Sequence, residues 1–240
     1  MLSRIMARAT GAFEADTAQA ASASFFAAMQ DLGASYLQTR VYRRPSAPLN
    51  STNHWMAGGV VTRIAPAGWP GSAAFDYVCF TCNPLLTPIR ENRTRYRFSD
   101  FAPRRGRQFG AYWEALGEAG IDEALCATSY GPGGLIASLH LGFAGRVFAP
   151  DEGLAIQMAG LVLTERLMSL AEPPAEEVKL TRRERDCLGF VADGKTDWEI
   201  SVILGVSEAT ARFHVDNARR KLGAVSRAQA VARLVNQRLI

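Results

Sequence analysis

The side chains best placed to do chemistry lie between Ser207 and Leu222, in the stretch SEATARFHVDNARRKL. The Ser207 hydroxyl suits the cap of a helix, and Ala211, Val215, Ala218 and Leu222 then recur at helical spacing as one buried stripe. Glu208, Arg212, Asp216, Arg219 and Arg220 fall on the opposite side. A guanidinium there can bond the O6 and N7 of guanine as a fork, while flanking cations neutralise phosphates and fix the register. A solvated amphipathic helix would show the same charge pattern, so the neighbouring segments must decide.

Other chemistries find little support. No Gly-x-Ser-x-Gly elbow, phosphate loop or paired metal motif occurs, so an enzyme is not expected. Cys79-x-x-Cys82 has no second cysteine pair to complete a zinc site. We read it as two ordinary thiols on a helix, with a redox pair as the alternative. No metal and no cofactor are expected. Cys126 and Cys187 complete a set too scattered for a secreted disulfide framework.

The elements around Ser207 support a DNA reader. Thr181-Arg-Arg-Glu184 is a capping box opening a helix that turns Cys187, Leu188, Val191 and Ala192 inward and stops at Gly194. After Lys195, Thr196-Asp-Trp-Glu199 opens a second helix with Ile200, Ile203 and Leu204 buried, and Gly205-Val206 turns into the third. Ser226-Arg-Ala-Gln229 starts a fourth, closed by Ala230, Val231 and Leu234. Four short capped helices make a helix-turn-helix module. Charge agrees: residues 179–240 hold twelve Lys/Arg against seven Asp/Glu, a balance of +5 that leaves −1 for the rest of a chain of net charge +4.

From Leu180 onward, LTRRERDCLGFVADGKTDWEISVILGVSEATARFHVDNARRKLGAVSRAQAVA resembles the DNA-binding signature of the LuxR-type transcription regulators. The resemblance implies double-stranded DNA with a palindromic operator, a homodimer, and RNA polymerase as a partner if the protein activates. It makes Ser207 to Leu222 the recognition helix, with Arg212 as principal base reader. Lys195, Thr196, Ser207, Glu208, Asp216, Arg219, Arg220 and Lys221 are the other expected DNA contacts. Asp216 stands where some relatives carry a cation, which bears on the operator sequence.

Upstream, periodicity predicts an alanine-rich helix from about Phe13 to Leu32, with Phe25, Phe26, Met29 and Leu32 on one face. Ala34 to Arg43 then alternates, Tyr36, Gln38, Arg40 and Tyr42 against Leu37, Thr39 and Val41, and Met56 to Ile64 reads as another strand beyond a polar loop at 44–54. Ser72 to Arg93 is helical with interruptions at Asn83-Pro84 and Pro88, and Gln108 to Ala119 is an amphipathic helix. Strands Ala124 to Tyr130 and Leu135 to Phe143 flank a glycine-rich turn, and Glu152 to Leu170 is a long helix apolar on more than one side. Paired prolines among acids then mark a linker. The expected fold class is α+β: an N-terminal α/β/α sandwich with a mainly antiparallel sheet, followed by an all-α four-helix helix-turn-helix domain. The expected domains are 1–170, a linker at 171–178, and 179–240.

The N-terminal part resembles the autoinducer-binding domain of LuxR-type receptors, whose pocket between sheet and helices holds an N-acyl-homoserine lactone. By that resemblance Trp69, in Gly68-Trp69-Pro70, is the first head-group aromatic and Tyr77 the second tyrosine. Asn83 stands in the place of an Asp, and Phe98 in that of a Trp. Ser138 and His140, on one face of their strand, are expected to line the cavity. Several positions depart from the pattern. Asn83 offers a neutral oxygen where a carboxylate would accept the ligand amide, Ala74 replaces a tryptophan, Ala124 replaces a glycine, and the Trp69-to-Asn83 interval is about three residues short. Trp69, Tyr77 and Phe98 could equally be plain core aromatics, and His140 a satisfied core histidine.

Three readings follow. The first is a homodimeric quorum-sensing-type regulator controlled by an N-acyl-homoserine lactone or related small amphiphile. The second is a ligand-independent or antagonistic relative with a degenerate pocket, acting on DNA or through a heterodimer with a related receptor. The third is an enzyme or thiol switch fused to a DNA anchor. No run reaches the ~18 uninterrupted apolar residues of a membrane span, and the N-terminus lacks a signal-peptide core, so a cytoplasmic protein without a membrane partner is expected.

Overall fold

In a computed structural model, residues 1–171 and 180–236 are described. The chain divides into two compact units, Met1–Glu172 and Pro173–Ile240. The first is built on a five-stranded antiparallel sheet of order β2-β1-β5-β4-β3. Its strands are β1 (Ala34–Arg43), β2 (Val60–Ile64), β3 (Arg95–Arg97), β4 (Glu123–Tyr130) and β5 (Leu135–Phe143). The β4–β5 connection runs through Gly133 and Gly134, both at positive φ, as its glycine content predicts.

Each face of the sheet carries its own core. Leu37, Leu125, Leu139, Leu141 and Phe143 point to one side and bury against Phe25, Phe26 and Met29 of α3 (Ala18–Gln30) and Ile156, Leu163 and Leu167 of α9 (Pro150–Ala171). Gly160 lets α9 approach closely, because a Cβ there would stand 2.9 Å from Ala127 Cβ and Leu139 Cδ2. By length and composition α9 could cross a membrane, but half of its most apolar window is buried in this core. The opposite face carries Tyr36, Tyr96, Ala124 and Cys126, covered by Trp69, Val78, Phe98, Tyr112 and Leu116. This is the α/β/α sandwich that the pattern of elements implies.

Several expectations need correction. The N-terminal helical region is three pieces, α1 (Leu2–Arg8), α2 (Thr10–Glu14) and α3, because Thr17 adopts extended backbone and caps α3 through Ala20 N. The polar loop contains α4 (Ser51–Met56), closed by a reciprocal Asn50–Asn53 capping box, so β2 begins only at Val60. Gly59 is required between them: at φ +75° a Cβ would sit 2.0 Å from Val41 O. The interrupted helical stretch is α5 (Ala73–Asp76), a π-helical turn Tyr77–Thr81 and α6 (Leu86–Arg90), followed by the unforeseen β3 and by α7 (Phe98–Phe101). Gly110–Gly117 forms α8, shorter than expected. The linker predicted at 171–178 lies, apart from Ala171 at the end of α9, outside the described residues.

The second unit is helical: α10 (Arg182–Ala192), α11 (Asp197–Leu204), α12 (Glu208–Lys221) and α13 (Arg227–Asn236). Both capping boxes form, with Thr181 Oγ1 accepting from Glu184 N and Thr196 Oγ1 from Glu199 N, each at 3.3 Å. Gly205 ends α11 at φ +64°, in the left-handed region that glycine tolerates. Cys187, Leu188, Ile200, Ala211, Val215, Ala218, Leu222, Ala230 and Leu234 form the core. Ile203 is 50% exposed instead of buried, and Ala192 faces outward too. On a helix as short as α11, Ile200, Ser201 and Leu204 fill the inward arc and leave Ile203 outside it.

Candidate ligand pocket and DNA-reading face

The face of the sheet that carries Tyr36 lines a partly open cavity. Its floor is the even-numbered face of β1, Tyr36, Gln38 and Arg40, with His140 of β5 paired across from Gln38. Trp55 of α4 and Trp69, Phe75 and Phe98 form aromatic walls. Trp69 and Phe75 meet edge to face at 6.0 Å, and Trp55 and Phe75 at 5.5 Å. The π-helical turn is closed by Cys82 N donating to Tyr77 O at 2.8 Å, and it presents Val78 and Cys79 to the cavity. Such one-turn widenings recur at functional sites.

Of the six ligand residues expected from sequence, four meet here: Trp69, Asn83, Phe98 and His140. Tyr77 and Ser138 do not. Tyr77 begins the π turn and is half-buried against the aromatic cluster of this face, while the next two side chains, Val78 and Cys79, face the cavity. Ser138 is buried opposite Arg40 and Thr128, off the wall. Asn83 donates its amide to Cys79 O at 3.0 Å, which secures the turn. His140 Nε2 lies 3.1 Å from the Tyr96 hydroxyl and its ring meets Phe98 at 5.3 Å, so it is both a satisfied core histidine and a wall of the cavity.

Electrostatics in the cavity are set by burial. His140 is pulled down to about 4, first by desolvation and then by Arg40. His54 is pulled down to about 3 by the same causes in the same order, with His140 adding to them. Both imidazoles are therefore neutral near pH 7. Burial also pushes the Cys79 thiol up to about 12, and raises Cys82, which makes a poor nucleophilic pair. Among the described residues no cluster of His, Cys, Asp and Glu could hold a metal ion.

Sequence reasoning missed Arg40, His54, Trp55 and Gln38 as pocket residues. The alternation of β1 did put Tyr36, Gln38 and Arg40 on one face. His54 closes a stretch, 44–54, that reads as loop, and Trp55 falls between that loop and the next expected strand.

In the helical unit, α12 buries Ala211, Val215 and Ala218 and turns Glu208, Arg212, Phe213 and Arg220 outward. The Arg212 side chain is 58% exposed, with Nε 3.0 Å from Asp197 Oδ2 and an Nη 3.0 Å from Glu208 Oε1. Asp197 also accepts from Arg227 at 2.7 Å. The bond from Arg227, and after it that from Arg212, holds this carboxylate below its usual range against the opposing effect of burial. The arrangement aims a guanidinium outward from the middle of the helix on a fixed stem. Arg220 bonds Asn217 beside it.

Other expected contacts have structural partners. Ser207 Oγ caps α12 by accepting from Thr210 N at 3.1 Å, and the Thr196 hydroxyl is engaged with Glu199. Lys195 lies 3.8 Å from Glu199, and both Lys195 and Thr196 are exposed. Arg219 donates to Ala224 O at 3.1 Å and lies 3.5 Å from Asp216, tying down the end of the helix. Lys221 Nζ lies 2.7 Å from Glu184 Oε2. Phe213, exposed between Arg212 and His214, is an apolar neighbour of the reading face that charge-based reasoning passed over.

A small-molecule cavity in one unit and an exposed cationic helix of a helix-turn-helix in the other define a sensor-coupled DNA-binding protein. Residues 178–234 match the family of bacterial regulatory proteins, luxR family. The chain is 37% identical over 181 residues to the quorum sensing-dependent transcriptional regulator RpaR of Rhodopseudomonas palustris, covering 72% of this chain and 73% of RpaR. It is 28% identical over 191 residues to the transcriptional activator BjaR1 of Bradyrhizobium diazoefficiens, covering 75% and 76% of the two chains. The fold is similar to that of Escherichia coli SdiA, with a TM-score of 0.60 at 21% identity over 100% of this chain and 97% of the other. The chain belongs to the LuxR family of DNA-binding transcription regulators.

Proposed function

We propose that this protein is a cytoplasmic homodimer that reads a palindromic operator with two copies of α12, under control of a small amphiphile held in the β1–β5 cavity. An N-acyl-homoserine lactone is the first ligand to try. The observation that carries the reading is the cavity itself: four aromatic walls around a polar floor suit a ligand with one apolar and one hydrogen-bonding end. RpaR, by name quorum sensing-dependent, supports the same reading.

The domain assignment is residues 1–170 for sensing and dimerisation and 179–240 for DNA. Support for the dimer comes from the side of α9 turned away from its sheet. Leu154, Met158 and Val162 follow at intervals of four and are 45%, 37% and 38% exposed, an apolar stripe suited to a second copy. Arg212 is the base reader, with Glu208, Asp216 and Phe213 flanking it. Arg220, Lys195 and Thr196 serve the phosphates, while Ser207, Arg219 and Lys221 act by holding α12 in place. RNA polymerase is the further partner if the protein activates. Within the family's role as transcription regulators no catalytic activity is assigned.

The test is the melting temperature of the purified chain with long- and short-chain acyl-homoserine lactones. A saturable rise is expected, since a ligand that prefers the folded form stabilises it by mass action. No shift with any lactone or related amphiphile, in a chain that binds its operator unaided, would favour the ligand-independent or antagonistic reading.

A further inference from the structure

Arg40 is 2% exposed, yet among the described residues no carboxylate pairs with it. Its Nε and one Nη donate to Gly58 O at 3.1 and 2.6 Å, and that Nη also donates to His54 O at 2.9 Å. The other Nη lies 2.6 Å from His54 Nε2. Every one of these acceptors is neutral. The guanidinium is stacked 4.4 Å over Tyr42 and 5.0 Å over Trp55, which adds attraction without adding a counter-charge. Arg63 stands nearby, its Nε 2.8 Å from Gln38 Oε1 and its guanidinium 5.1 Å over Phe75. Among the described residues no Asp or Glu lines the cavity.

The donor inventory is just as one-sided. Since Arg40 can only donate, His54 Nε2 must accept, which puts the imidazole proton on Nδ1. His54 is 8% exposed and that Nδ1 is buried without a hydrogen-bond partner among the described residues. One N–H of the Arg40 Nη facing His54 is also left over after the four bonds above. A buried cation normally has a counter-ion, because taking a charge out of water is costly. A plain structural role, tying β1 to the turn before β2, would account for the two Gly58 bonds but not for a charge placed there.

We propose that this cavity binds carboxylate-bearing amphiphiles in preference to their neutral analogues and that Arg40 is the residue that binds the carboxylate, with His54 Nδ1–H as second donor. This deepens the sensor reading and rests on it. The one remaining Nη N–H of the guanidinium can donate to a carboxylate oxygen as a charge-assisted hydrogen bond, and the aromatic walls take the apolar remainder, an arene or acyl chain. The same cavity lacks the acidic group that an Asp at position 83 would have provided for a ligand amide. Charge selection is thereby reversed, toward acids.

Matched pairs test it on the full chain: 3-phenylpropanoate against 3-phenylpropanamide, and octanoate against octanamide, by isothermal titration. At least one acid should bind saturably about tenfold or more tightly than its amide, and the preference should fall to about twofold or less in Arg40→Gln. The wild-type comparison stands even if Arg40→Gln fails to fold, and His54→Gln, which replaces the imidazole and its Nδ1–H by a neutral amide, should narrow the preference in part. Amides or neutral lactones binding as well as the acids would overturn the assignment and leave the sensor reading intact. A preference for acids that persists in a folded Arg40→Gln would also overturn it. No saturable binding by any acid, amide or lactone would overturn both.

Discussion

Lys221 Nζ lies 2.7 Å from Glu184 Oε2, whose side chain is only 5% exposed, so a cation at the end of the DNA-reading helix anchors α12 to the cap of α10. Glu184 is already half of the capping box, its Oε2 accepting from Thr181 N at 2.7 Å. Although burial opposes it, the bonds from Lys221 and then from Thr181 hold this carboxyl below its usual range. Truncating Lys221 leaves a buried carboxylate without its cation. Lys221→Ala should therefore lower the unfolding free energy of the helical unit by about 1–3 kcal/mol, read by urea denaturation. A fully stable Lys221→Ala with weakened binding to all DNA would instead assign the side chain to phosphate.

Arg212 differs because, although Asp197 of α11 and Glu208 hold its Nε and one Nη, its side chain is 58% exposed. Arg212→Ala should lose discrimination between operator and random DNA by roughly 1–3 kcal/mol, with little change on random sequence. Arg220→Ala should weaken both alike and lower the salt slope by about one. Equal losses on both DNAs for both variants would contradict the division of roles. Asp197→Asn, which loosens the stem of Arg212, should reproduce part of the Arg212→Ala effect.

Acid should destabilise the two units over different ranges. In the sensor unit, His54 and His140 are held at about 3 and about 4, below the unfolded value of about 6.5. Between those values the unfolded chain binds protons that the folded chain does not, so stability falls as pH drops below about 6.5. In the helical unit Glu184 and Asp197 are both depressed, so their contribution persists at neutral pH and is lost only as pH falls through the carboxylate range. Melting temperatures from pH 8 to 4 should show the first loss. His140→Phe should flatten it, and an unchanged slope would show that His140 is not its source.

Gly59 allows no side chain. Gly59→Ala places a Cβ against Val41 O at a positive φ and should cost more than about 1 kcal/mol, with the β1–β2 edge opening first in hydrogen exchange. Gly58→Ala, next to it and also at positive φ but with open space around its Cβ, should cost less.

The helical unit was the more legible in sequence because its signals are local. Thr181, Thr196 and Ser207 cap helices within three residues of themselves, and Gly205 ends one by its own φ. What sequence could not show was the long-range use of charge: Lys221 reaches Glu184 across 37 positions and Arg227 reaches Asp197 across 30. In the sensor unit β1 followed from alternation and β4 and β5 from the glycine-rich turn between them, whereas β3, three residues long, carries too short a pattern to register. The cavity was partly legible. Trp69, Asn83, Phe98 and His140 meet, but Tyr77 opens a π-helical turn that no periodicity signals and stays off the wall, and His54 enters through a capped helix at the end of an apparent loop.

The most direct test of the central claim, a ligand-controlled dimer reading DNA with α12, is selection of bound duplexes from a random pool by the full chain. It should be run with and without a lactone or acid that raises the melting temperature. The pool should converge on an inverted repeat with half-site centres about 10–10.5 base pairs apart or a multiple of that spacing, ligand should change the yield, and Arg212→Ala should lose one position in each half-site. Convergence on a single asymmetric site, or the same motif with Arg212→Ala as with the wild type, would contradict it.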